Sequence, residues 1–194
     1  LLYDFKAVTV AQGWLMSGWS LLRPFVYPPS VLPVLAPFAA APFFWAYAIW
    51  TLLGAIVLAG AVSSALNTQR VLAVALVLAS PPAAIALIVG QATLLVGGVI
   101  TLAVVELPRR PRLAGVLFGL AAAIKPQAAV LVPLGLVAAR AWTPLEFSIL
   151  AGASLGGLSL LMVGWRPWLA WLDSIGRFAE AIDHSPTLMR GGVT

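Results

Sequence analysis

Asp4, Gln91 and Lys125 are polar interruptions in a chain built mostly of apolar residues, and Tyr27 opens one of its long apolar stretches. Residues 24–69 hold no charged side chain, and Lys125 stands between residues 113–124 and 126–139, which are uncharged as well. A charge at the centre of a lone membrane helix costs on the order of 3 kcal/mol or more, so ionisable residues in such places are usually functional. An acid, an amide and an amine set at helix breaks are the parts of a catalytic or transport cavity. Lys125, followed by Pro126, suits a fixed cation for an anionic substrate.

Each of these residues also has an ordinary role to weigh. Asp4 can cap a surface helix or be a solvated loop charge. Lys125 can snorkel from a helix end or hold helices together through an ion pair. Gln91 can be polar glue between helices, and Tyr27 an interfacial aromatic. His184 lies beyond the apolar sequence and carries no assignment.

The elements that position these residues follow from composition. The chain has 194 residues, 62% of them hydrophobic and 9% charged, and its mean hydropathy is +1.04. Soluble domains carry about 25% charged residues, so the solvent here is lipid and the fold expected is an all-α, polytopic transmembrane bundle. The net charge of +5 is no nucleic-acid signal, because Arg109, Arg110 and Arg112 gather in one short loop, the mark of a cytoplasmic side. Anionic-lipid binding by that loop is the second reading. The absence of cysteine rules out disulfide and thiol chemistry. There is no Gly-rich phosphate loop, no His/Cys metal spacing and no Gly-x-Ser-x-Gly elbow.

Along the chain, residues 1–23 mix Phe5, Val8, Leu15 and Trp19 with Asp4, Lys6, Gln12 and Ser17, as a helix lying on the membrane does. Transmembrane helices are expected over 28–165: 28–40 and 42–66 divided by Pro42, a run from 71 to 89 broken at Ser80-Pro81-Pro82, then 91–107, 113–124, 127–139 and 147–165. Residues 167–183 place Trp168, Trp171, Leu172, Ile175, Phe178 and Ile182 on one face and charges on the other, an amphipathic interfacial helix. With the arginine loop inside, Gln91, Lys125 and the 167–183 helix share the outer face. Asp4 joins them if 71–89 dips in and returns, as broken backbone can beside a protein-lined cavity. The chain starts without Met and stops at Arg190-Gly-Gly-Val-Thr194 without a closing element, so an internal piece of a longer membrane protein, a single membrane domain, is expected.

Asp4-Phe5, Ala11 and Gly18, then Phe25-Val-Tyr-Pro-Pro29 with Ala36-Pro37, Gly90-Gln91, and Ala114-Gly115 followed by Ile124-Lys125-Pro126, occur in an order and at distances that resemble glycosyltransferase family 87. Such GT-C enzymes are integral-membrane and include mannosyltransferases and arabinofuranosyltransferases. The resemblance covers residues 3–165. The chain departs from it at Thr93, where Asn is common, and in having no span before the aspartate and none after the amphipathic helix.

The resemblance implies an inverting transfer of a sugar, mannose or arabinofuranose, from a polyprenyl-phosphate donor to a hydroxyl of a lipid-linked or cell-wall glycan, at the outer face of the cell membrane. Asp4 maps to the general base, and Lys125 supplies the cation for the lipid-phosphate leaving group. Gln91 and Tyr27 line the sugar pocket. No cofactor is implied beyond the donor substrate, a metal requirement stays open, and the partners are membrane lipid, donor and glycan or glycolipid acceptor, with no nucleic acid. The alternative is a transporter or flippase subunit for a lipid-linked or anionic substrate, which would also use broken helices and buried charge.

Overall fold

Lipid dissolves apolar side chains but offers the backbone no hydrogen bonds, so a chain of this composition must satisfy its peptide groups within helices. The computed structural model describes Tyr3, Asp4, Ala7, Val8, Val10 and residues 25–184, with side chains described as far as Arg177. Among the described residues there are helices and turns and no strand. The motif residues Phe5, Ala11 and Gly18, most of the expected 1–23 surface helix, and the side chains of Phe178, Ile182 and His184 lie outside the described residues.

Two compact units are formed, one of Ser30–Ser159 and one of Leu1–Pro29 with Leu160–Thr194. The helices are α1 (Phe43–Ala65), α2 (Arg70–Leu78), α3 (Pro81–Val89), α4 (Thr93–Glu106), α5 (Pro111–Ile124), α6 (Pro126–Ala129), α7 (Val132–Ala138), α8 (Trp142–Val163) and α9 (Arg166–His184). At 1.5 Å per residue α1 and α8 are about 33–35 Å long, enough for a hydrocarbon core about 30 Å thick. Both are long and apolar enough to cross a membrane, and α2 with α3, bent by 59° at their break, would together make a third span. Their outward faces are bare hydrocarbon, with Phe44 78% and Leu161 87% exposed.

Several expected elements are shorter or more broken than periodicity suggests. The 28–40 helix begins at Pro29 and is three pieces, a 3-10 turn Pro29–Val31, an α turn Leu32–Leu35 and a 3-10 stretch Ala36–Ala40. Pro33 and Pro37 each fall in the first turn of the next piece, where a missing N–H does no harm. The 91–107 span contracts to Thr93–Glu106, about 21 Å. The 127–139 helix divides into α6 and α7 because Pro133, in the first turn of α7, cannot donate back into α6. The last span starts five residues earlier than expected, at Trp142 rather than 147. Arg140 closes α7 in the left-handed region at φ 54°, with Ala141 N donating to Leu136 O at 2.8 Å, which frees the chain to restart at once.

Within the Ser30–Ser159 unit, α1 packs on α4 through Leu58 and Leu94, with Ala83 and Ala86 of α3 completing that cluster. Ala103 of α4 meets Ala114 and Phe118 of α5 and Leu136 of α7 in a second cluster. The crossing of α5 with α8 is closer still. Gly115 and Gly119 face the backbone carbonyls of Pro144 and Ser148, leaving no room for a Cβ. Small residues four apart let membrane helices approach to backbone contact, where dispersion replaces the hydrophobic driving force that lipid removes.

Candidate functional site

The Gly90-Gln91 break is a helix C-terminus closed by local hydrogen bonds. Gly90 takes φ 69°, Gly90 N donates to Leu87 O at 3.3 Å and Gln91 N to Ala86 O at 3.0 Å, the paired pattern of a left-handed glycine cap. Tyr47 of α1 pins this turn. Its hydroxyl donates to the carbonyls of Leu87 and Ile88, two of the last acceptors of α3. Gln91 is thereby held at the surface, two residues before Thr93 begins α4.

At Lys125 the chain breaks because Pro126 follows. The proline ring disfavours helical backbone in the residue before it, and Lys125 is pulled to φ −143°, ψ 79°. Its N–H still closes α5 onto Ala121 O at 2.9 Å, and its carbonyl starts α6 by accepting Ala128 N–H at 3.0 Å. Ser30 donates its hydroxyl to Ala123 O, satisfying a terminal carbonyl that α5 cannot.

These two breaks come together. Lys125 Nζ donates to Thr93 Oγ1 at 2.8 Å, and Thr93 Oγ1 donates to Gln91 Oε1 at 3.0 Å. Lys125 is half-buried, while Gln91 and Thr93 are exposed. Among the described residues no carboxylate pairs with Lys125; the ion pairs present are Arg110–Glu106 and Arg177–Asp173. Thr93 is the member that pattern reasoning noticed only as a departure from an Asn, since nothing in the sequence puts it beside a lysine 32 positions away.

Asp4 and Tyr27 belong to the other unit. Asp4 is exposed. Its Oδ1 accepts Ala7 N–H at 3.3 Å and its carbonyl accepts Val8 N–H at 2.9 Å, the geometry of a helix N-cap. Tyr3, beside it, is buried and donates its hydroxyl to Tyr27 O at 2.9 Å, and burial pushes the Tyr3 phenol above its ordinary pKa, keeping it a donor. Phe25 lies between the two tyrosines, its ring centroid 5.8 Å from that of Tyr3 and 5.6 Å from that of Tyr27. Trp171 of α9 donates its indole N–H to Val26 O at 3.2 Å. The segment around Tyr27 is thus tied by its backbone to Tyr3 and to the amphipathic helix.

Long apolar helices and a bundle of shorter broken ones define a helical membrane protein. The chain belongs to glycosyltransferase family 87, whose model matches residues 25–192, and it is a membrane glycosyltransferase. Asp4 lies upstream of the matched residues. No curated protein and no solved structure matches the chain.

Proposed function

We propose that the protein is an inverting, multi-pass glycosyltransferase of the cell membrane. It moves a mannosyl or arabinofuranosyl group from a polyprenyl-phosphate donor to a hydroxyl of a lipid-linked or cell-wall glycan at the outer face. The observation that carries this reading is the half-buried ammonium of Lys125, bound to Thr93 and facing no carboxylate among the described residues. The acceptor oxygen attacks C1 of the sugar as the bond from C1 to the phosphate oxygen breaks. The donor's phosphodiester leaves as a monoester and gains a negative charge. A leaving group of this kind needs a cation rather than a proton, and a preorganised charge aimed at it is often the largest catalytic contribution. Lys125 fills that role, and Gln91, next in the relay, holds the donor headgroup.

Asp4 is the base that takes the acceptor proton. Its Oδ1 also accepts the capping bond from Ala7 N–H. Tyr27 lines the sugar pocket. The single membrane domain is organised as a surface segment at 1–23, transmembrane helices over 28–165 and an interfacial helix over 167–183.

The decisive experiment supplies the purified protein with polyprenyl-phosphate sugars and, separately, nucleotide sugars, and measures transfer to glycan acceptors. Transfer from the lipid donor alone is expected. Transfer from nucleotide sugars alone would overturn the donor assignment, and movement of intact lipid-linked sugar across vesicles without transfer would favour a flippase.

A further inference from the structure

The relay Lys125–Thr93–Gln91 has a direction, and the direction is forced by chemistry. An ammonium has donors and no acceptor, so Thr93 Oγ1 must accept from Lys125 Nζ at 2.8 Å. The one hydroxyl proton of Thr93 is then free to go elsewhere, and it goes to Gln91 Oε1 at 3.0 Å. That bond fixes the Gln91 carboxamide with its oxygen turned to Thr93 and its amide N–H groups turned away. The remaining N–H groups of Lys125 and those of Gln91 are all donors, so the pair offers itself to an acceptor-rich anion.

We propose that Thr93 is a positioning residue that orients Lys125 and Gln91 as a donor-only pair for the phosphate of the lipid donor. The inference rests on the donor reading above, and adds that a residue touching no reacting atom sets the polarity of the site. A residue at this position must accept from an ammonium and donate to a carboxamide oxygen at once. Ser meets both conditions with its hydroxyl. Asn meets them with its carbonyl and its amide. Val meets neither. Asp accepts from Lys125 but cannot donate, so it neutralises the ammonium and turns Gln91 around to present its carbonyl outward, toward the phosphate.

Asp separates this role from a merely structural one. Thr93 is the first residue of α4, where a carboxylate favours the helix through its dipole, and an Asp–Lys pair would tie α4 to α5 at least as firmly as the native bond. If Thr93 only held helices together, Asp would serve as well as or better than Thr.

The test measures KM and kcat for a polyprenyl-phosphate sugar, together with binding of polyprenyl phosphate in detergent micelles, for the Thr93→Ser, Asn, Val and Asp variants and for Lys125→Met. Folding of each is checked by elution profile and melting temperature. Hydrogen bonds to charged groups correspond to about 10- to 100-fold in affinity. Val and Asp are expected to weaken polyprenyl phosphate binding by about that factor, Asp also lowering kcat because it neutralises the ammonium that meets the leaving phosphate, and Ser and Asn are expected to stay within about threefold. Asp or Val variants that bind like the parent while Lys125→Met does not would overturn the role of Thr93 and leave the donor reading intact. A Lys125→Met protein that binds and turns over normally would remove the donor reading, and the inference with it. Loss in Ser and Asn equal to that in Val would also overturn it.

Discussion

A Cβ placed on Gly90 would stand 3.0 Å from Cε2 of Tyr47, so the ring of one helix lies directly against the turn that presents Gln91. Position 90 is therefore constrained twice. Its backbone is left-handed at φ 69°, and its side is closed by an aromatic face anchored through its hydroxyl to Leu87 O and Ile88 O.

Gly90→Ala is expected to destabilise the protein by about 1–2 kcal/mol from the left-handed backbone alone, with more from the ring contact. Gln91 should move with the turn. Melting in detergent and donor KM are the readouts, and Tyr47→Phe should share the loss in milder form, since it removes the hydroxyl and keeps the ring. An unchanged melting temperature in Gly90→Ala would contradict the packing.

Lys125→Met keeps the length of the side chain and removes its charge. Transfer efficiency should fall about 10²- to 10³-fold, the size seen when a preorganised electrostatic group is lost, with the protein still inserted and folded. Lys125→Arg should recover part of it, because the charge returns with a different donor geometry. Activity falling only in step with protein yield would mark Lys125 as a structural residue.

Asp4→Asn separates the two roles of one carboxylate. As a cap, Asn replaces Asp with little loss, whereas Ala costs about 1 kcal/mol. As a base, Asn fails, and turnover should drop about 10²-fold or more while donor binding persists. Transfer near the parental rate in Asp4→Asn would reduce Asp4 to the cap that its bond to Ala7 already makes it.

Gly119→Ala should be damaging out of proportion to one methyl group. The Ser148 carbonyl and the Ala151 Cβ occupy the space the new group needs, and both helices are held by backbone contact. Overpacking of this kind costs about 1–3 kcal/mol. Gly157→Ala, where nothing lies within 4 Å of the new Cβ, is the control and should melt like the parent.

Sidedness is accessible to single cysteines, because the chain has none of its own. Cysteine at Gln127, exposed beside the Lys125 break, should react with impermeant reagents outside intact cells. Cysteine at Arg109, exposed in the arginine loop, should react only after permeabilisation. The reverse pattern would invert the orientation.

Much of the architecture follows from the sequence alone, for a simple reason. In lipid the backbone must close its own hydrogen bonds, so an apolar chain is helical wherever proline permits, and the breaks are written at Pro42, Ser80-Pro81, Gly90 and Lys125-Pro126. The structure puts a break at each. The alternation of charge with tryptophan likewise announces α9, Arg166–His184. Helix lengths were less legible, since periodicity does not say whether a proline sits in the first turn of a helix, as Pro144 does in α8, or divides one, as Pro133 does between α6 and α7. Contacts between helices were not legible at all. That Thr93 receives Lys125, that Tyr47 roofs Gly90 and that Gly119 meets Ser148 are consequences of how α1, α4, α5 and α8 pack. Packing in lipid depends on shape matched across distant segments, and a linear pattern of polar and apolar residues does not carry that information.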